Sequence, residues 1–268
     1  MLYKRVISSL LFLPIFYLVT WRLSLVYFTA LVVIAVAVGQ FEFYRMARAR
    51  GINPNAVLGS VLGALIVLEF YRPVLTGEGK VLFVTGCMLL IMLIRLFSRR
   101  SADGAIEDIA STFLGVFYVS LLFAFQVWII TGAEGRRWIL FLYFVIWASD
   151  IGAYAIGIPF GRHRLYEKIS PKKSIEGLVG ALAASAGMAL LCRLWFMPPG
   201  GPGAVETIML GLLLAVVGTL GDLTESLFKR AAGVKDSGGI IPGHGGILDR
   251  MDSMMFAAPV LYYYLRIR

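Results

Sequence analysis

Residues 137–159 read RWILFLYFVIWASDIGAYAIGIP. Apolar side chains fill nearly every position, with neither the alternation of a half-buried strand nor the one-sided stripe of a surface helix. At 1.5 Å per residue, these 23 residues cover the ~30 Å hydrocarbon core of a bilayer. The stretch therefore predicts a transmembrane helix. It carries one acid, Asp150. A carboxylate is expensive inside a bilayer, so a spanning helix that keeps one points to a task for it.

Outward from this segment the pattern repeats. Apolar runs lie at about 6–20, 24–44, 55–71, 79–97, 108–132, 176–197, 204–227 and 251–265. With 137–159 they predict an all-α polytopic membrane protein of about nine transmembrane helices. Of the 268 residues, 59% are hydrophobic and 15% charged, against ~45–50% apolar and ~25% charged in soluble domains. The mean hydropathy is +0.82. These values exclude a soluble globule and a disordered chain. Nine spans also leave no room for a separate soluble domain. A β-barrel is excluded because the runs are continuous rather than alternating. The first run follows Lys4 and Arg5, as a signal peptide would, but no small-residue cleavage site stands near Thr20–Arg22. It is expected to be a retained helix. Cys87 and Cys192 lie in apolar runs and read as small buried hydrophobes, not as a disulfide or a zinc site.

Nine helices place the termini on opposite sides. Seventeen of the 25 Lys and Arg then fall on the side of the N-terminus and the loops after helices 2, 4, 6 and 8. Such an excess marks the cytoplasmic face, so the N-terminus is expected there. The net charge of +9 is accounted for by these loops and by anionic lipid, and no nucleic-acid partner is expected. The chain divides into 1–137, helices 1–5 as scaffold and lipid-facing region, and 138–268, helices 6–9 with cytoplasmic catalytic loops.

Polar residues concentrate in the second part. In the first, Glu42 and Glu69 each precede an arginine by three residues, Arg45 and Arg72. They are expected to form interfacial ion pairs. In the second, Asp150, Glu176, Asp222, Glu225, Asp249 and Asp252 lie in or beside membrane segments. The densest stretch, residues 222–252, reads DLTESLFKRAAGVKDSGGIIPGHGGILDRMD. At about 100° per residue, Asp222, Glu225, Ser226 and Lys229 share one helical face. A carboxylate–hydroxyl–ammonium stripe on an apolar helix is not a packing face. Gly233 ends the helix. The glycine-rich loop that follows contains Lys235, Asp236 and His244, and its backbone N–H groups can come close to an anion. Asp249 and Asp252 then face one way on the first turn of the last helix, with Arg250 between them. Carboxylates beside a basic, glycine-rich loop suit metal-bridged phosphate, because Mg²⁺ takes one or two carboxylates together with phosphate oxygens.

A second polar stretch precedes helix 7. Residues 170–177, SPKKSIEG, put Lys172 and Lys173 at a helix N-terminus, where an anion is favoured. Ser174 and Glu176 suit either plain capping or that anion site. His163, in the same loop, reads as a polar loop residue.

The run Ser226-x-Phe228-Lys229-Arg230-x4-Lys235-Asp236-x-Gly238-x2-Ile241-Pro242-x-His244-Gly245-Gly246-Ile247-x-Asp249-Arg250-Met251-Asp252 resembles the signature of the phosphatidate cytidylyltransferases, or CDP-diacylglycerol synthases. The SPKKSIEG segment is similar to that family's second shared block. Together the two cover about an eighth of the chain. The resemblance implies transfer of a cytidylyl group from CTP to phosphatidate, giving CDP-diacylglycerol and pyrophosphate for phospholipid synthesis. It also implies Mg²⁺, as one or two divalent ions with a monovalent cation left open. A homodimer embedded in the bilayer of a bacterial cytoplasmic membrane would follow.

For such a reaction Asp222 and Asp249 are expected as primary metal ligands, because they come from different helices, with Asp252 and Glu225 secondary. Lys229 and His244 join Asp222 and Asp249 as expected catalytic residues. Lys172, Lys173, Ser174, Glu176, Ser226, Arg230, Lys235, Asp236, Gly245, Gly246 and Arg250 are expected to bind substrate. Two alternatives differ in chemistry. A CTP-dependent polyprenol or phytol kinase would transfer the γ-phosphoryl group to an alcohol. A cation-coupled transporter would place its acids near the midplane, with repeats, and no repeat is evident here.

Overall fold

A computed structural model of the chain describes residues 14–198, 200–239 and 245–268. Eight long helices make up most of it: α1 (Leu25–Arg48), α2 (Ala56–Tyr71), α3 (Glu78–Leu96), α4 (Ala105–Thr131), α5 (Gly135–Phe160), α6 (Ile175–Trp195), α7 (Ala204–Ala231) and α8 (Leu248–Ile267). The described part of the first apolar run is also helical, up to Arg22. The segment between α5 and α6, read in the sequence as a loop, forms a short antiparallel hairpin of β1 (Arg164–Tyr166) and β2 (Ser170–Ser174).

The count of about nine membrane helices is not matched in full. Among the described residues six helices, α1, α3, α4, α5, α6 and α7, are long and apolar enough to cross. The 16 residues of α2 span only ~24 Å at 1.5 Å each, short of a ~30 Å core. Charged residues at both ends of α8 leave an apolar middle of 13 residues, 253–265. The first run begins outside the described residues.

By its contacts the chain forms two compact units. One compact unit joins Met1–Trp128 to Ala231–Arg250, and the other joins Ile129–Arg230 to Met251–Arg268. In the first, the wholly buried Tyr44 of α1 fills the space beside Gly59 of α2 and Gly115 of α4, where any β-carbon would strike its ring. Its hydroxyl donates to the carbonyl of Thr112 at 3.1 Å. Gln40, one turn earlier, donates to the carbonyls of Gly59 and Gly115 at 3.0 and 3.2 Å. Across Gly115–Leu121, α4 widens to a five-residue turn. A widened turn loosens the regular backbone ladder, and it begins where these two side chains take up its carbonyls. Asp108, at the start of α4, accepts from Asn53 N at 2.6 Å and from Arg95 Nε at 2.9 Å. Glu69 is not paired with Arg72 as expected. It accepts from the backbone N–H groups of Val74 and Leu75 at 3.1 and 3.0 Å and so closes the turn after α2.

In the second unit the helices meet through small residues. Between membrane helices no hydrophobic force favours protein over lipid, so close van der Waals packing must hold them together. A β-carbon on Gly152 of α5 would run into the Gly180 carbonyl and come within 2.6 Å of Ala184 on α6, and one on Gly211 of α7 would lie 2.8 Å from Ala189 of α6. Gly221 of α7 sits against the carbonyl of Asp252 on α8, 2.5 Å from where its β-carbon would be. The α7 stripe faces inward. Glu225, Ser226 and Lys229 are buried, while Leu220 and Leu227 on the same helix are 52% and 46% exposed. That inversion suits a helix with protein on one side and lipid on the other.

This packing makes a directional prediction. Gly152→Ala should lower stability by about 1–3 kcal/mol, the usual cost of overpacking, read as a lower apparent Tm in detergent. Gly187→Ala on α6 has nothing within 4 Å of the new methyl group. It should leave Tm unchanged or raise it slightly through better helix propensity.

Candidate functional site

Among the described residues, the predicted site residues fall into two polar groups, one in each unit. In the second unit, α7 supplies Asp222, Glu225, Ser226 and Lys229. Asp222 Oδ2 lies 2.6 Å from Lys173 Nζ, and the Ser226 hydroxyl approaches Asp222 Oδ1 at 3.4 Å. Lys229 pairs with Glu225 one turn earlier on the same helix. The buried Asp252 of α8 accepts from Ser253 N at 2.7 Å. It lies near enough to Asp222, Glu225 and Asp150 for all three negative charges to act on it. Four acids and two lysines are thus gathered from α5, α7, α8 and the strand that leads into α6.

The hairpin explains how Lys173 reaches this place. Arg164 pairs with Ser174, and Tyr166 with Ser170. The Ser174 hydroxyl caps α6 by accepting from Gly177 N at 3.1 Å. Glu176 accepts from Arg162 N at 3.1 Å and meets His163 Nδ1 at 2.6 Å, so it secures the turn leading into the hairpin. Ser174 thus caps α6, and Glu176 ties the turn before the hairpin to the first turn of that helix. Arg230 Nε donates to the Ile169 carbonyl at 3.2 Å and ties the end of α7 to the same hairpin. Lys172 is exposed.

In the first unit, the described ends of the glycine-rich loop close around two carboxylates. Asp249 Oδ2 accepts from Ser237 N at 2.9 Å, the Ser237 hydroxyl at 2.9 Å and Gly246 N at 2.8 Å. Glu42, reaching from α1, accepts from Ile247 N at 3.1 Å, Leu248 N at 2.9 Å and the Ser237 hydroxyl at 3.3 Å. Arg45 donates to the Ser237 carbonyl at 2.9 Å. Arg50 Nε donates to the Ala231 carbonyl at 2.5 Å. Lys235, Asp236 and Arg250 are exposed, Gly245 is half-buried and Gly246 buried. His244 lies outside the described residues.

The structure therefore brings together Lys173, Asp222, Glu225, Ser226, Lys229 and Asp252 in one unit, and Gly246 and Asp249 in the other. Sequence reading missed Glu42, Arg45 and Ser237. Glu42 was legible as an acid inside an apolar run. It was set aside because Arg45 offered a partner three residues on, yet Arg45 binds the loop instead.

The chain matches the cytidylyltransferase family over residues 3–268. It belongs to that family. Among its relatives are proteins named phosphatidate cytidylyltransferase. The one from Synechocystis sp. is 36% identical over 267 residues, covering 89% of this chain and 88% of the relative. The one from Bacillus subtilis is 31% identical over 241 residues, with the same coverage. The one from Staphylococcus aureus strain COL is 46% identical over 156 residues, 58% of each chain. This cytidylyltransferase is a nucleotidyltransferase with several membrane-spanning helices, and both of its polar clusters fall within the matched region.

The cap at α6 gives a prediction for the enzyme's stability. Ser174→Ala leaves the Gly177 N–H without its side-chain acceptor and should cost about 0.5–2 kcal/mol, measured as a lower apparent Tm in detergent.

Proposed function

We propose that the protein joins CTP and phosphatidate to give CDP-diacylglycerol and pyrophosphate, with its reacting groups on the cytoplasmic face of a bacterial inner membrane. The observation that carries this reading is the 2.6 Å approach of Lys173 to Asp222, with Glu225, Lys229 and Asp252 beside it. A pole of hard carboxylate oxygens and ammonium groups is what a metal-bound, multiply charged phosphate requires. The names of the relatives supply the substrates.

The reaction is written as a direct displacement. A phosphate oxygen of phosphatidate attacks the α-phosphorus of CTP and forms a new P–O bond. The bond from that phosphorus to the bridging oxygen breaks, and pyrophosphate departs with the electron pair. The attacking phosphate is already anionic near neutral pH, so no strong base is needed. The protein's task is positioning and charge neutralisation. Lys172, Lys173, Lys229, Arg230 and Lys235 would neutralise phosphate oxygens. Ser226 would orient Asp222, and the N–H groups at Gly245 and Gly246 would line the triphosphate.

The donor set fits Mg²⁺. Among the described residues no three acids, cysteines or histidines are clustered as a preformed metal site, but Mg²⁺ needs only one or two protein carboxylates when phosphate oxygens and water complete its shell. Asp222, with Glu225 and Asp252, would hold the ion in the second unit. Asp249 would do so from the head of α8, with its direction fixed by the three donors on Oδ2. When bound, the ion supplies positive charge for the phosphate oxygens.

The decisive assay uses purified protein in detergent with phosphatidate, labelled CTP and Mg²⁺. A labelled lipid with release of pyrophosphate is expected. Release of CDP instead would indicate phosphoryl transfer to the acceptor and overturn the proposal. Asp222→Asn should cut turnover by orders of magnitude while leaving the fold intact. Lys173→Ala should lower kcat/KM roughly 10- to 150-fold, the ~1.5–3 kcal/mol of a charged hydrogen bond.

Sidedness is tested by labelling in a variant without Cys87 and Cys192. Gly239→Cys, at an exposed position, should resist a membrane-impermeant thiol reagent on spheroplasts and react once the membrane is opened. Labelling before opening would reverse the orientation.

A further inference from the structure

Glu42 belongs to no part of the reaction described above, yet it is one of the most tightly engaged carboxylates in the protein. It lies on α1, is wholly buried, and is 195 residues from Ser237 and 205 and 206 from Ile247 and Leu248. Its two oxygens accept three hydrogen bonds. One comes from the Ser237 hydroxyl, near the start of the α7–α8 loop. The other two come from the Ile247 and Leu248 N–H groups, at the loop's end and the first residue of α8. One carboxylate thus binds both described ends of the loop. A negative charge is also favoured at a helix N-terminus, where backbone N–H groups lack partners within the helix.

The glycines of the loop are shaped around this carboxylate. A β-carbon on Gly238 or on Gly246 would fall on the Glu42 carboxylate oxygens. The two residues therefore have a reason to be glycine that does not involve substrate. Asp249 works from the other side, accepting from Ser237 N, the Ser237 hydroxyl and Gly246 N. The Ser237 hydroxyl stands between the two acids, within reach of both. Arg45, one turn after Glu42, fixes the Ser237 carbonyl. A hydroxyl, a set of backbone N–H groups and two carboxylates thus form one closed arrangement.

We propose that Glu42 is a positioning residue for the cytidylyl transfer: from α1 it holds both ends of the α7–α8 loop, and with them Lys235, Asp236, Gly245 and Gly246, in the arrangement that receives the triphosphate of CTP. The proposal rests on the assignment of that loop to CTP. Its action is on the loop and not on the lipid substrate. A loop released by loss of Glu42 must be ordered again each time the nucleotide binds, and that cost falls on CTP.

Glu42→Gln keeps the shape of the side chain, removes the charge and presents an amide NH2 to groups that are themselves donors. In the full-length protein in detergent, the Ile247 and Leu248 amides should exchange with deuterium at least tenfold faster than in the parent. The KM for CTP should rise about tenfold or more, while the KM for phosphatidate stays within twofold. Ser237→Ala, which removes one donor only, should shift both readouts the same way by a smaller factor, and it keeps the test valid should Glu42→Gln fold poorly. A purely structural role would lower the amount of active enzyme and reduce kcat with both KM values unchanged. That result, or unaltered exchange at Ile247 and Leu248, would overturn the proposal. Failure of the function itself is separable. A parent protein that makes no labelled lipid from CTP would refute the proposed reaction, whereas the exchange measurement reads the latch without any substrate.

Discussion

A carboxylate carried into an apolar interior must meet donors there, because the cost of desolvating it is several kcal/mol and water is not at hand to offset it. The arrangement of this protein follows from how that demand is met. Asp108 is met by an arginine and a backbone N–H group, Glu225 by Lys229, and Asp222 by a lysine from the hairpin. Glu42 and Asp249 are met by the backbone and hydroxyl of one loop. Apart from the Glu225–Lys229 pair within α7, these solutions join different elements, so the acids fix tertiary structure as well as offering chemistry. In the second unit the donors are cations, which leaves charge available to a phosphate. In the first they are mostly N–H groups, which leaves geometry.

The small residues make such contacts attainable. Gly152, Gly180, Gly211 and Gly221 allow backbones to approach until a β-carbon would collide. At that separation a carboxylate on one helix can be felt by groups on the next. At Gly221, one residue before Asp222, a larger side chain would push α7 away from Asp252 on α8. There, helix packing and the placing of the acids are one constraint.

The membrane class and the position of most helices were readable from apolar runs, because hydropathy is a local property of sequence. The inward face of α7 was readable too, since 3.6-residue periodicity places Asp222, Glu225, Ser226 and Lys229 together without knowledge of any neighbour. Less could be read where partners come from elsewhere in the chain. The hairpin at 164–174 depends on pairing between two polar segments that have no apolar alternation. The span count suffered at α2 and α8, where the apolar run is present but short or flanked by charge. Glu42 was read through its nearest arginine, when its real partners lie about 200 residues away. The resemblance of two motifs identified the family correctly, while the geometry added a link from the N-terminal half that neither motif contains.

The distance between Glu42 and its donors also has a temporal side. The ribosome finishes α1 long before it reaches Ser237, 195 residues later. At about 5–20 residues per second, that interval is on the order of 10–40 s. Throughout it the nascent chain holds an acid whose three donors do not yet exist. Until that loop is made, the carboxylate has none of the partners that hold it in the folded protein. The Glu42 contacts therefore form late in biogenesis, although α1 is among the first helices to be synthesised and its Tyr44 and Gln40 find partners on α2 and α4 much earlier.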